Sequence, residues 1–126
     1  MARVTCCALS QLSGISDVND INLFIVRNPK ADVRNVSLFQ YLAPSNELYS
    51  FAMQNKNNPN WWELYASAFK EELETSDKKV GLDIVQGFIN EGFNVNLICY
   101  CGDYTKCHRS LVADKLREMG IEVRLL

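Results

Sequence analysis

The stretch INLFIVRNP, residues 21 to 29, constrains the fold more than any other part of this chain. Apolar side chains run almost without interruption from Ile21 to Val26, so an extended strand here would be apolar on both faces. A strand with one wet face alternates instead, and an uninterrupted run suits a parallel sheet covered on both sides. Pro29 ends the run, because proline cannot donate to a ladder and favours a turn. Three further segments read as strands: RVTCCAL (Arg3 to Leu9), FNVNLICYC (93 to 101) and the alternating IEVRLL (121 to 126).

Between these runs the chain carries helix signals. APSNELYSFAMQ has Ser45 or Asn46 placed to cap a helix and Glu47 in its first turn, facing the positive end of the dipole. NKNNPN breaks the chain, after which Asn60 can cap WWELYASAFKEELE, where Trp61, Tyr65, Ala68 and Phe69 form one stripe suited to the core. A third helix over TSDKKVGLDIVQGFINEG presents Val80, Ile84, Val85 and Phe88, with Gly92 at its end. The last helix is expected from about Thr105 to Met119, stopped by Gly120. The segment from Lys30 to Ala43 lacks helical periodicity, and VSLFQYL within it suits a short strand or an ordered loop. The pattern predicts one α/β domain over residues 1–126, three-layered, with a mostly parallel sheet. A right-handed crossover through the last helix would make strands 94–100 and 121–126 parallel neighbours.

The 126 residues carry a formal net charge of −2, which disfavours a surface built for nucleic acid, although a local basic pocket remains compatible with it. No run approaches the ~20 apolar residues that span a bilayer, and the N-terminal MARVTCCALS has no signal-peptide pattern, so a cytoplasmic protein is expected. In a reducing compartment the five cysteines read as buried residues, metal ligands or reactive thiols rather than disulfides.

Three of those cysteines, the only histidine and an arginine fall within CYCGDYTKCHR, residues 99 to 109. The motif joins a strand end to a helix start, where ligands of open α/β sheets bind and where free N–H groups favour an anion. At 100° per residue, His108 falls on the buried side with Leu111, Val112 and Leu116, and Cys107 falls on its flank, which separates the two as a catalytic dyad. Two readings of Cys107 and His108 stand side by side. In one, Cys107 is a nucleophile activated by the helix start and by Lys106 and Arg109; in the other, it packs under the loop while His108 bonds to backbone. Cys99, Cys101, Cys107 and His108 have the ligand types of a zinc site, but C-x5-C-H lacks the usual C-x2–4-C knuckle, so no metal is expected. Arg27, ending the second strand, should project at the same sheet edge as Arg109, and together with Lys30 the two guanidiniums would hold a phosphate or carboxylate. Cys99, Cys101 and Ser110 join Arg27 and Arg109 as expected ligand-binding residues, and Cys107 and His108 are the expected catalytic ones.

LICYCGDYTKCHRSLVADKLREMGIEV resembles the signature of the DUF488 family: an apolar strand ending in cysteine, a loop, then C-H-R opening a helix. FIVRNP is similar to that family's strand ending in V-R, and LAPSNELYSFAMQN with WWELYASAFKEEL is similar to its middle region, including the YeaO-like branch. The resemblance implies a Rossmann-like α/β fold and places Arg27, Cys99, Cys107, His108 and Arg109 at signature positions. It implies no defined activity. Where many members carry an acid two residues before the strand-end arginine, this chain has Ile25; where they carry a glutamate two after the first signature cysteine, it has Cys101. Asp103 is the only acid left in the loop.

The function expected from these observations is binding of an anionic ligand, nucleotide-like or phosphorylated, at a pocket between strand end and helix start, with thiol chemistry open and no cofactor specified. The alternative is a protein or nucleic-acid interaction module, presenting Trp61, Trp62 and NKNNPN, in which the Cys-His-Arg cluster is only structural.

Overall fold

A computed structural model of the chain describes residues 2–126 as a five-stranded parallel sheet with four α-helices. The strands are β1 (Val4–Ala8), β2 (Ile21–Phe24), β3 (Ser37–Leu38), β4 (Val95–Cys99) and β5 (Val123–Leu125), ordered β3-β2-β4-β1-β5 in space. β1 and β4 are buried at all five of their positions. Cover on both faces is what such mainly apolar strands require, and it also buries the polar Thr5 and Asn96.

The helices are α1 (Asn46–Asn55), α2 (Trp61–Glu72), α3 (Ser76–Asn90) and α4 (His108–Glu118). Ser45 caps α1 as expected, its Oγ accepting from the Leu48 N–H at 3.1 Å. Gly92 and Gly120 take φ of 91° and 87° just past α3 and α4, the left-handed turn that ends a helix without a Cβ clash. In α3, Leu82 and Val85 face the core, whereas Val80, expected on the apolar side, is exposed. The reason lies at Gly81, which packs against the 3-10 turn Gln40–Leu42 and so turns the stripe of Lys78, Gly81, Leu82 and Val85 inward.

The strand order corrects one expectation. Segments 94–100 and 121–126 are not neighbours; β1 lies between them, with Val4 opposite both Val95 and Val123. A crossover that skips one strand keeps its hand. It also gives the fully buried β1 two partners and leaves the edge to β5, three residues long with Arg124 exposed.

Connections from β3 to β4 (through α1, α2 and α3) and from β4 to β5 (through α4) run in one direction across the sheet, while β1 to β2 and β2 to β3 run in the other. With a constant right hand, the first pair must cover one face and the second pair the opposite face. The packing agrees: Val4, Cys6, Leu23, Ile25, Val95 and Leu97 face all four helices. On the other face Cys7, Phe24, Val26 and Ile98 are covered by the 3-10 segment Leu9–Gly14 and by Val33 and Val36. Two of the three expected layers are therefore the sheet and its helices, and the third is 3-10 helix and loop. No helix among the described residues is long and apolar enough to cross a membrane.

β2 and β4 are adjacent, yet the chain leaves their carboxyl ends in opposite directions and toward opposite faces. Such a point of divergence opens a crevice beyond the strand ends, where ligands of open α/β sheets bind.

A Cβ added at Gly81 would lie 2.6 Å from Tyr41 Cβ, whereas one at exposed Gly87 would meet nothing within 4 Å. Gly81→Ala is expected to lower the unfolding free energy by about 1–3 kcal/mol through overpacking. Gly87→Ala is expected to raise it by up to about 1 kcal/mol through helix propensity. Urea denaturation of both variants checks the pair.

Candidate functional site

The crevice is a cleft of about 390 Å³, within the range of small-molecule sites. Val26 and Arg27 line it from the end of β2, Cys99, Tyr100 and Cys101 from the end of β4, and Cys107 and His108 from the start of α4. Tyr49, Ala52, Met53 and Lys56 face it at the spacing of one helical stripe, carried by α1 and the residue after it, and Trp61 and Tyr65 face it from α2. Lys30 and Lys106 complete a lining with four cationic side chains, Arg27, Lys30, Lys56 and Lys106, and no carboxylate.

The geometry of Cys107 departs from the helical wheel. The helix begins at His108, after a 3-10 turn over Tyr104–Lys106, and Cys107 is its N-cap residue, extended at φ −138° and ψ 142°. An extended residue does not follow the 100° rule, so its side chain is free to approach its sequence neighbour. Cys107 Sγ lies 3.7 Å from His108 Nδ1 and 3.2 Å from Cys99 Sγ. The separation of Cys107 from His108 expected from the wheel is thus corrected.

His108 itself points inward as expected, buried and edge-on to Phe69. Its Nε2 lies 2.6 Å from the carbonyl oxygen of Ile25. A carbonyl only accepts, so Nε2 carries a proton and, in the neutral ring, Nδ1 turns its lone pair toward the sulfurs. Burial holds the His108 pKa below its ordinary value, against the opposing pull of the Ile25 carbonyl.

Arg109 is 1 % exposed and does not line the cleft. Its Nη1 donates to Cys99 Sγ at 2.9 Å and to the Cys101 carbonyl at 2.6 Å, while Nε and Nη2 both donate to the Leu126 carbonyl, at 3.2 and 2.9 Å. Arg27 does line the cleft, with Nε donating to the Pro44 carbonyl at 2.8 Å. The two guanidiniums therefore do not converge on one open pocket. Ser110 turns back on its own helix, its Oγ donating to the Cys107 carbonyl at 2.8 Å, and lies outside the cleft lining. Asp103 accepts from the N–H and hydroxyl of Thr105, tying its own loop.

Cys99, Cys101 and Cys107 have sulfurs within 4.8 Å of one another. Cys101 is the partly exposed member of the cluster. Hydrogen bonds from Cys107 and then Cys99 hold the Cys101 thiol far below its ordinary range. Cys99 is correspondingly pushed up to about 11, first by its bond to Cys101. Cys107 rises further, for the same reason.

Several lining residues were not singled out in the sequence as site residues. Trp61 and Tyr65 read there as core, and they do pack on it, but they also face the cleft. Trp62, considered with Trp61 as a partner surface, is half-buried against the same core. Lys56 lay hidden in NKNNPN, although its spacing of seven from Tyr49 and four from Ala52 was a usable signal.

A family model described as DUF488-N3a, the active DUF488-N3 subclade, matches residues 11–120. No curated protein and no solved structure matches the chain.

With four hydrogen bonds and almost no exposure, Arg109 is a structural cation. Arg109→Lys keeps the charge but loses the fork that spans Cys99, Cys101 and Leu126. It is expected to lower the unfolding free energy by about 2–4 kcal/mol, because acceptors that the fork satisfied lose their donors. Lys106→Ala, at an exposed position, should stay within about 0.5 kcal/mol of the parent. Chemical denaturation monitored by tryptophan fluorescence distinguishes them.

Proposed function

This chain belongs to the DUF488 family, and from that premise we propose that it binds an anionic small molecule, nucleotide-like or phosphorylated, in the cleft between the ends of β2 and β4. The observation that carries the proposal is the lining itself: four cationic side chains, no carboxylate, and a thiol cluster beside them. A cleft of one sign with low-dielectric walls concentrates ligands of the opposite sign. Arg27, with Nε and Nη2 donating to the carbonyls of Pro44 and Gln40, keeps Nη1 for a phosphate or carboxylate oxygen, and Lys30, Lys56 and Lys106 add positive charge beside it. Lys30 Nζ lies 4.9 Å from the centre of the Tyr100 ring, an arrangement that holds its ammonium near the cleft mouth.

The rings of Tyr49, Trp61 and Tyr100 give the cleft flat apolar surfaces beside its charges. That combination suits a ligand with a planar ring as well as an anionic group. Cys101, the partly exposed thiol, is the sulfur that meets the bound molecule. Cys107 and His108 stand behind it, where Cys107 is 2 % exposed and His108 is fixed by Ile25. The description of the matching subclade as active supports a site that does chemistry rather than a purely structural cluster.

The metal-free protein is expected to be stabilised against heat by pyrophosphate and by nucleoside diphosphates, with apparent affinity falling as salt rises. A Lys30→Ala/Lys106→Ala double variant should fold normally and bind at least about tenfold more weakly, a loss of ~1.4 kcal/mol. Calorimetric titration reads both. Absence of stabilisation by every phosphate-bearing compound in the unsubstituted protein would sink the proposal.

A further inference from the structure

We propose that Cys99, Cys101 and Cys107 bind one zinc ion through three thiolates, leaving the fourth coordination position open to the cleft. The site is the only cluster of three metal-ligating side chains of this kind among the described residues. Zinc–sulfur bonds of ~2.3 Å set tetrahedral sulfurs ~3.8 Å apart. All three sulfurs lie within 4.8 Å of one another, and the pair Cys99 and Cys107, at 3.2 Å, needs to open by only about half an ångström. As each zinc–sulfur bond forms, that thiol gives its proton to the buffer, and no oxidant or reductant is involved.

The spacing C-x-C then C-x5-C argued against a metal because it lacks the usual knuckle. The fold supplies the second arm in another way. Cys99 ends β4, Cys101 follows it into the loop, and extended Cys107 returns at the N-cap of α4, so a strand end and a helix start replace the knuckle. The surroundings suit a thiolate-bound metal. One zinc and three thiolates carry a net charge of −1, and the buried Arg109 guanidinium already donates to Cys99 Sγ at 2.9 Å, placing a compensating positive charge against the cluster. No carboxylate lines the cleft, so hard cations that prefer oxygen find no ligands there.

The fourth position is open for a geometric reason. Neither ring nitrogen of His108 joins the mutually close set of three sulfurs, although Nδ1 lies 3.7 Å from Cys107 Sγ. Cys101, partly exposed, borders the cleft. Three protein ligands with one open position is the arrangement of a zinc that acts on a bound molecule as a Lewis acid. Assigning that position to the anionic ligand rests on the function proposed above; metal binding by the three sulfurs does not.

The test uses the full chain, reduced and stripped with a chelator. Titration with Zn²⁺ against a chromophoric competitor should show one ion per chain. Co²⁺ in its place should give a strong sulfur-to-cobalt charge-transfer band. Cys101→Ser, at a partly exposed position, should fold as the parent does and bind zinc at least about 100-fold more weakly. Failure of the folded, reduced protein to take up one zinc, or equal affinity in Cys101→Ser, overturns the metal site. Pyrophosphate binding to the metal-free chain is measured in parallel, so loss of the metal result with pyrophosphate binding intact refutes the zinc site alone.

Discussion

The buried guanidinium of Arg109 is the interaction on which the rest of the structure turns. It begins on the second residue of α4, reaches under the loop to Cys99 and Cys101, and ends on the carbonyl of Leu126 beyond β5. One side chain thus binds the end of β4, the start of α4 and the residue that follows β5, the strand to which α4 leads. A neutral side chain could fill the space, but it would take this donor from the oxygens of Cys101 and Leu126 and the sulfur of Cys99, a cost of about 1–3 kcal/mol for each group that water does not reach. The same bonds fix where Cys99 and Cys101 stand, so the thiol cluster inherits its geometry from a residue that the cleft does not expose.

The cleft follows from topology in a comparably direct way. Because β3 to β4 and β4 to β5 step in one direction, all four helices share a face, and β2 and β4 send their chains apart. The gap so opened is walled by the first helices after β3, which bring Tyr49, Lys56 and Trp61 over it. The four cations of its lining come from three separate segments, none of which is basic enough to stand out in a chain of net charge −2. Local charge, set by folding, matters here more than the sum.

Much of this was legible in the sequence. Uninterrupted apolar runs predicted the parallel sheet, Ser45 its helix cap, and Gly92 and Gly120 the helix ends, because each depends on neighbours in the chain. Strand order was not legible: a right-handed crossover satisfies the same pattern whether or not it skips β1. The conformation of Cys107 was missed because the wheel was extended one residue too far, past the first residue with helical angles. Arg109 was legible as important and misread in role. A strand-end or helix-start arginine facing solvent and one buried under a loop have the same sequence, and only the carbonyls of Cys101 and Leu126 decide between them.

The departure at position 101 gains meaning from this geometry. The family resemblance places a glutamate there in many members, and a carboxylate beside Cys99 and Cys107 would offer a hard oxygen and a titratable acid. Cys101 offers a third sulfur instead, in mutual reach of the other two and exposed on the cleft side. The exchange replaces an acid-base group with a soft ligand while the Arg109 bond to the backbone of that same residue is kept, since it uses the carbonyl of residue 101 and not its side chain. The bond that fixes the backbone at this position is therefore made whatever side chain residue 101 carries. Ile25 shows the complementary constraint: its carbonyl holds His108, so the backbone there is committed even though the side chain carries no charge. Backbone atoms hold the site in place, and the side chains at 25 and 101 set what it can do.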